Sequence, residues 1–497
     1  MYELTRSLDA FRPELALLIG LLLVVVADSF AGWGRQLMTR LVTLVSLAAA
    51  FGFALELSAA GTRGPLFSGM LVIDPLGAAL KVILVAAGLL TVLAFSFRNS
   101  RELHGLGQGE LFSLVLALVF SCLLLAGASD IVMLYLALEM VSITSYVMVG
   151  YLKGDRLSNE ASLKYILFGA ASTGSMLYGL SLLYGLAGTT SLRGVQEYLA
   201  GGIPDANRFA VYVLTLLVLA GFGFKIAAVP FHFWCPDVYQ GAPTPVTALL
   251  SVLPKAAGLA IALRFFYGAF SVPERGPWDL SGSIDWTSLL MLVSVLTMTL
   301  GNVAALTQTN MKRLLAYSSI AHAGFLLMGI VALSENGARG LLVYLGAYLV
   351  MNVGAFLVVT LVHLHEGSFD LRDYPGLHRR APLLTLAMAF FLLSLVGIPP
   401  FVGFLAKLYV FAAVIEQGRG VYATIAALNA AVAAYYYFKV LKVMIIDPGN
   451  EAKPALQLAP VDQLRLAALA LANVVPLFFW DWIEGWARGA LVLYAGR

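Results

Sequence analysis

Residues Leu219–Val246 read LAGFGFKIAAVPFHFWCPDVYQGAPTPV. The stretch opens inside an apolar run, carries Lys225, and meets a proline at Pro230. His232 and a turn-rich segment with Pro236, Asp237, Gly241, Pro243 and Pro245 follow. A lysine within a membrane-spanning helix costs about 2.5–3.5 kcal/mol on insertion scales, so its presence needs a reason. A proline about a turn later removes a backbone hydrogen bond and frees carbonyls. In a membrane such a break persists only where protein or water satisfies the freed groups. A buried cation beside a broken helix therefore predicts a polar pathway through a helical bundle.

The surrounding chain fits that setting. It has 497 residues, 60% hydrophobic and 12% charged, whereas soluble domains are about 25% charged. The apolar residues come in runs long enough to cross a bilayer. The predicted fold is all-α and polytopic, with about fourteen transmembrane helices. The net charge of +3 is spread over connecting loops, so no nucleic-acid partner is expected. Cys122 and Cys235 lie far apart and form no CxxC pair, which argues against an iron–sulfur centre. There is no GxGxxG with an acidic partner and no P-loop, so no flavin, nicotinamide or ATP site is expected. Six scattered histidines argue against a metal site. The N-terminal stretch carries Glu3, Asp9 and Glu14 without a cleavage site and reads as a retained span.

A second interruption lies in Leu395–Phe411, LVGIPPFVGFLAKLYVF, where Pro399 and Pro400 precede Lys407. Counted along the chain, the broken spans are the seventh and the twelfth, and so cross in opposite directions. Two irregular helices in opposed orientation predict an inverted repeat with its site near the midplane. The expected division is three N-terminal helices in 1–109, a first five-helix repeat in 110–270, an inverted second repeat in 284–446, and a C-terminal helix in 460–491. Connections after odd-numbered spans are the richer in Lys and Arg, among them Arg98, Arg101, Lys312, Arg313 and Lys453; the others hold Arg63, Arg193, Arg275, Arg339 and Arg419, with Arg208 at a boundary. This bias predicts that the first set is cytoplasmic and that both termini face outward.

Charges inside the spans are the candidate functional residues. Glu139, in DIVMLYLALEMVSITSYVMVGY, falls near mid-depth. Lys225 and Lys255 sit well inside their spans, and Lys407 lies just past the second break. Burial penalises the charged form of a carboxylate or a lysine, and an opposite charge nearby restores it. Such groups exchange protons as a partner approaches or departs. The plainer alternatives are a structural ion pair for Glu139 and snorkelling for the lysines; snorkelling is strongest for Lys164, only about a turn inside its span. Lys81, in the third span, is a weaker candidate. His322, in NMKRLLAYSSIAHAGFLLMGI, is at mid-depth and its side chain titrates near neutrality; a packing histidine is the alternative, as it is for His232. His363, His365 and His378 fall at span ends and read as solvated. Gly169, Ser172 and Thr173 read as close helix packing, and Tyr435, Tyr436 and Tyr437 as lining or packing groups.

The segments GFGFKIAAVPFHFWCPDVYQGAPTPV, QTNMKRLLAYSSIAHAGF and GIPPFVGFLAKLYVF resemble the antiporter-like membrane subunits of respiratory complex I, the proton-pumping NADH:quinone oxidoreductase. The resemblance covers roughly residues 70–446. The L-type of the family has a long C-terminal extension with a lateral helix, whereas the sequence ends after its expected fourteenth span, and Lys407 stands where the M-type usually has glutamate. His322 stands where the plastid version tends to have Gln, which favours a bacterial respiratory type in the inner membrane. The resemblance implies that Glu139 is the fifth-span glutamate and Lys225 the lysine of the broken seventh span. It likewise implies that Lys164, Lys255 and Lys407 are the lysines of the sixth, eighth and twelfth spans, with Lys164 able to approach the glutamate. The implied proton path runs Glu139, Lys225, Lys255, then Lys407 through water and His322. NADH, FMN, iron–sulfur clusters and quinone are then expected on partner subunits. The implied partners are M-type, K-type and J-type membrane neighbours and lipid. A subunit of a multisubunit cation/proton antiporter, or of an energy-converting hydrogenase, shares the superfamily, and a passive scaffold is the blandest reading.

Overall fold

The computed structural model describes residues 2–30, 34–95, 102–103, 107–270, 285–449 and 453–491. Arg98, Arg101 and Arg275 lie outside them. The first helices are α1 (Tyr2–Ala10), α2 (Arg12–Ser29), α3 (Arg35–Ala60), α4 (Pro75–Ala94), α5 (Gln108–Gly127), α6 (Ile131–Val149), α7 (Arg156–Ala187) and α8 (Leu192–Ala200). Then come α9 (Asp205–Ile226), α10 (Trp234–Gly241), α11 (Thr244–Ala269), α12 (Trp286–Leu306), α13 (Met311–Val331) and α14 (Glu335–Glu366). The last are α15 (Leu377–Arg380), α16 (Pro382–Val396), α17 (Val402–Glu416), α18 (Gly420–Ile445), α19 (Pro460–Leu471) and α20 (Trp480–Gly489). Strands β1 (Gly64–Leu66) and β2 (Leu71–Ile73) pair antiparallel. Among the described residues, 11 helices are long and apolar enough to cross a membrane, or 12 if the bent pair at the C-terminus is one span. The fold is thus a polytopic helical bundle.

Buried α11, α13 and α14 form its centre; helices apolar on all sides belong inside a bundle. The β1–β2 hairpin and the bridges Leu71–Ala128 and Asp130–Ser191 collect several loops at one end, the hairpin face. At the opposite face Lys312 Nζ donates to the Ala242 carbonyl at 2.6 Å, and Asn310 bridges to Asp370. α9 leaves the hairpin face and α10 ends at the opposite one, where α16 begins. The two interrupted helices therefore run antiparallel.

Both breaks fall at the prolines. After Pro230, however, the expected turn-rich stretch is the helix α10. Pro236 lies in its first turn, where a missing N–H leaves no bond unmade. The freed groups of this break find partners: Trp234 Nε1 donates to the Phe224 carbonyl at 3.1 Å, and the Val229 N–H to Thr297 Oγ1 at 3.0 Å. The expected continuous helix over 460–491 is also corrected. It bends by 44° between α19 and a 3-10 turn leading into α20. The buried Asn473 carbonyl at this bend accepts the Val402 N–H at 2.9 Å, so the bend completes the second break.

At that second break α17 lies directly against the end of α16. A Cβ on Gly403 would collide with the Ser394 carbonyl oxygen and come within 2.8 Å of Met351 Sδ. Overpacking of this kind costs about 1–3 kcal/mol. Gly403→Ala is therefore expected to lower the melting temperature of the purified assembly; an unchanged transition would show that α16 and α17 separate freely.

Candidate functional site: buried lysines without carboxylate partners

The described chain buries six Lys and Arg side chains: Lys81, Lys225, Lys255, Arg264, Lys312 and Lys407. They fall into two groups. Lys81 meets Glu14 at 2.6 Å, Arg264 meets Asp74 at 2.6 Å, and Lys312 meets Glu102 at 3.5 Å. Lys225, Lys255 and Lys407 have no carboxylate within ion-pair distance among the described residues and bond only hydroxyls or carbonyls. This contrast separates structural charges from candidates for chemistry. A buried cation without a counter-charge carries most of its desolvation cost uncompensated, so small changes around it move its proton.

Lys225, on the last turn of α9, donates to Ser142 Oγ at 2.9 Å. Ser142 is one turn from Glu139 on α6, so carboxylate and ammonium share a neighbourhood without touching. Lys225 and Glu139 thus form no ion pair in this structure. Glu139 hydrogen-bonds Tyr135 on its own helix and lies half-buried beside exposed Leu136, Met140 and Ile143. It therefore stands at the bundle edge, open to a neighbour. Gly258 lets α11 close on Lys225: a Cβ there would lie 3.1 Å from Lys225 Cγ.

Lys255, one turn before Gly258, donates to Ser319 Oγ at 2.6 Å. Ser319 also accepts from the Tyr348 hydroxyl at 2.8 Å and contacts Tyr239 Oη at 3.4 Å. The His322 ring lies 5.2 Å from the Tyr348 ring. Its Nδ1 bonds Tyr344 Oη at 2.9 Å and its Nε2 bonds Tyr437 Oη at 3.3 Å. Lys407 donates to the Leu395 and Val396 carbonyls at 2.9 and 2.7 Å, which are groups released by the break in the helix. The Phe325 ring stands between the last two sites, 6.1 Å from the His322 ring and 4.9 Å from Lys407 Nζ. The arrangement is a row of short hydrogen-bonded segments separated by gaps, suited to proton transfer that water or a side-chain swing must complete.

Lys164 sits apart from this row. Its half-exposed side chain (38%) bonds Asp237 at 2.7 Å and Glu160 at 2.8 Å, with no ion pair to Glu139. Asp237 also holds Arg313 at 2.6 Å, so it clamps α10 to α7 and α13. Lys81 has a buried partner in Glu14, a residue noted in the sequence only as a terminal charge. His232 is buried at the first break, and its Nδ1 has no partner among the described residues. Gly169 packs on Tyr146 and Phe224, while Ser172 on the same helix is half-buried and donates to the Phe168 carbonyl at 2.8 Å. Of the three tyrosines, Tyr437 joins the His322 network, Tyr436 donates to Asn302 at 3.1 Å, and Tyr435 faces outward. Ser142, Ser319, Tyr344 and Tyr348 escaped the sequence reading. Their one signal is helical spacing, with Tyr344 and Tyr348 one turn apart and facing the turn that carries Ser319 and His322.

Removing the shared hydroxyl tests the row. Ser319→Ala leaves Lys255 and Tyr348 without their common partner. We expect proton movement to fall several-fold with assembly intact, whereas Ser172→Ala, whose hydroxyl bonds the Phe168 carbonyl of its own helix, should change nothing. Equal rates for both variants would remove Ser319 from the path.

The model of the family described as NADH:quinone oxidoreductase/Mrp antiporter, TM, matches residues 128–432. A relative from Anaeromyxobacter sp. (strain Fw109-5), NADH-quinone oxidoreductase subunit N, is 44% identical over 99% of this chain and 98% of its own. One from Chloroherpeton thalassium, NADH-quinone oxidoreductase subunit N 2, is 41% identical over 94% and 91%. Among solved structures, a chain of respiratory complex I from Thermus thermophilus with bound aureothin is similar at a TM-score of 0.75 and 29% identity, covering 95% of this chain and 98% of that one. A chain of the Mrp complex from Dietzia sp. shares the fold at a TM-score of 0.82 and 20% identity, covering 98% and 97%. The chain therefore belongs to the NADH:quinone oxidoreductase/Mrp antiporter transmembrane family, and within it to the subunit N group.

Proposed function

We propose that the chain is a proton-translocating membrane subunit of a proton-pumping NADH:quinone oxidoreductase, and that protons move along the row Glu139, Lys225, Lys255, His322 and Lys407. The observation that carries this reading is the split among buried cations. The fully buried Lys81, Arg264 and Lys312 outside the row are neutralised by carboxylates, and the lysines of the row are not. Lys164 enters as a positioning group through Asp237. NADH, FMN, the iron–sulfur clusters and quinone belong to partner subunits, in keeping with a chain that presents no motif for them. The partners are other membrane subunits of that complex, and Glu139 at the bundle edge is where a neighbour's charge acts.

In this reading α2, the broken pair α16–α17 and the bent pair α19–α20 each cross the bilayer, which makes fourteen spans. The antiparallel broken helices support two inverted five-helix repeats. The loop charges favour the opposite face as the one in the bacterial cytoplasm, with both termini outside. Energetically, moving one charge against about 100 mV takes about 2.3 kcal/mol, and one unit of proton affinity is worth about 1.4 kcal/mol. A switch of about two units at each lysine suffices, and approach or withdrawal of one counter-charge in a dry bundle is of that size.

Inverted membrane vesicles containing the whole complex test the function. NADH oxidation is expected to acidify the lumen in proportion to quinone reduced, without a requirement for sodium. Sodium/proton exchange in the absence of NADH-linked pumping would reassign the chain to the antiporter branch.

A further inference from the structure

Between Glu139 and Lys225 the row has a gap, and a buried hydroxyl faces it. Tyr146, two turns after Glu139 on α6, is 8% exposed, and its Oη has no hydrogen-bond partner among the described residues. A buried polar atom left unpaired costs free energy that phenylalanine at the same position would not incur. At about 100° per residue, positions 139, 142 and 146 fall on one side of the helix. Helical side chains lean toward the N-terminus of their own helix. The Tyr146 phenol therefore leans toward the turn of Ser142, which lies within its reach. Glu139 is near enough for its charge to act on the same phenol.

Ser142 by itself does not close the gap. Its Oγ accepts from the Lys225 ammonium at 2.9 Å and donates to the Leu138 carbonyl at 2.8 Å, so a proton arriving from Glu139 needs a second hydroxyl to bring it in. The surroundings hold the Tyr146 phenol ready for that. The Tyr165 ring meets it edge-on with centroids 4.8 Å apart, and stacks on Trp234 at 4.4 Å. Trp234 in turn donates to the Phe224 carbonyl, next to Lys225 in the chain. Gly169 of α7 leaves the space that the hydroxyl occupies; a Cβ there would fall on Tyr146 Oη. The phenol is thus fixed by contacts that reach the helix break beside Lys225.

We propose, on the basis of the proton row described above, that Tyr146 is a further proton-transfer group and that its hydroxyl completes the transfer from Glu139 to Lys225. Protonated Glu139 gives its carboxyl proton through a bridging water to Tyr146 Oη. The Tyr146 hydroxyl gives its own proton to Ser142 Oγ, and the Ser142 hydroxyl turns and gives its own to the neutral Lys225 amine. Glu139 ends as a carboxylate and Lys225 as an ammonium, while both hydroxyls and the water are regenerated. No phenolate forms, as burial among apolar helices requires.

The test uses inverted vesicles containing the whole complex and three variants of this chain, Tyr146→Phe, Tyr165→Phe and Lys225→Ala. Tyr146→Phe removes an oxygen without a hydrogen-bond partner among the described residues, so the complex should assemble as wild type. NADH-driven acidification should then fall about a hundredfold, the lower end of what a positioned proton-transfer group contributes. Tyr165 shares the aromatic stack, but its hydroxyl lies by Ser145, and Tyr165→Phe should pump as wild type. Failure of Tyr146→Phe to assemble would make its hydroxyl a structural group and overturn the proposal. Equal losses in the two tyrosine variants would assign the effect to packing and overturn it as well. Normal pumping by Tyr146→Phe beside a failed Lys225→Ala would remove Tyr146 and leave the row standing. Normal pumping by both would overturn the row, and Tyr146 with it.

Discussion

Lys225→Ala is expected to abolish coupled proton movement while leaving the complex assembled. The ammonium is fully buried and among the described residues its hydrogen-bond acceptor is Ser142, so its removal strands no carboxylate and the fold loses little. The row, however, loses the group that stands between Glu139 and Lys255. A positioned proton-transfer group contributes about 10²–10⁴-fold to its step, so NADH-driven acidification should fall by about a hundredfold, the lower end of that range. If transport and electron transfer are tightly coupled, quinone reduction falls with it. Glu139→Ala should act in the same direction. Both rates are to be measured on the same vesicles after assembly has been verified. Normal pumping by Lys225→Ala would reduce the buried lysines to scaffold elements.

The Glu14–Lys81 pair should behave in the opposite way. Both side chains are buried, they touch at 2.6 Å, and Glu14 Oε2 has no further partner among the described residues. Removing one member of such a pair leaves an isolated charge and costs about 3–5 kcal/mol, whereas replacing both by apolar groups of similar volume is often neutral or stabilising. Lys81→Met alone is therefore expected to lower thermal stability and the amount of assembled complex sharply. Glu14→Leu together with Lys81→Met should restore both, with pumping rates near wild type. Loss of pumping in a stable double variant would move this pair out of the structural group and into the proton path.

The two breaks were legible because proline writes its effect on the backbone directly. Pro230, and Pro399 with Pro400, end their helices wherever the rest of the chain goes. The placing of Glu139, Lys255 and His322 well inside their helices was legible for a similar reason, since position in an apolar run is position along the helix. The helix α10 was hidden because proline and glycine also mark turns, and the first-turn position of Pro236 is known only once the start of the helix is known. The bend between α19 and α20 was hidden because its partner, the Val402 N–H, is about seventy residues away in the chain.

By itself the sequence determined that the chain is a helical membrane bundle with charges well inside its apolar helices, because span length, apolar runs and proline breaks are local properties. Only the tertiary structure decided which charges are neutralised. Lys81 and Lys225 look alike in sequence, each a lone lysine in an apolar helix. One meets Glu14 and the other meets a serine. Lys164 is drawn to Asp237 and away from Glu139, and Ser319 joins Lys255 to Tyr348 across three helices. The pairing of a buried charge depends on which helix faces it, and that is settled by packing between segments remote in sequence.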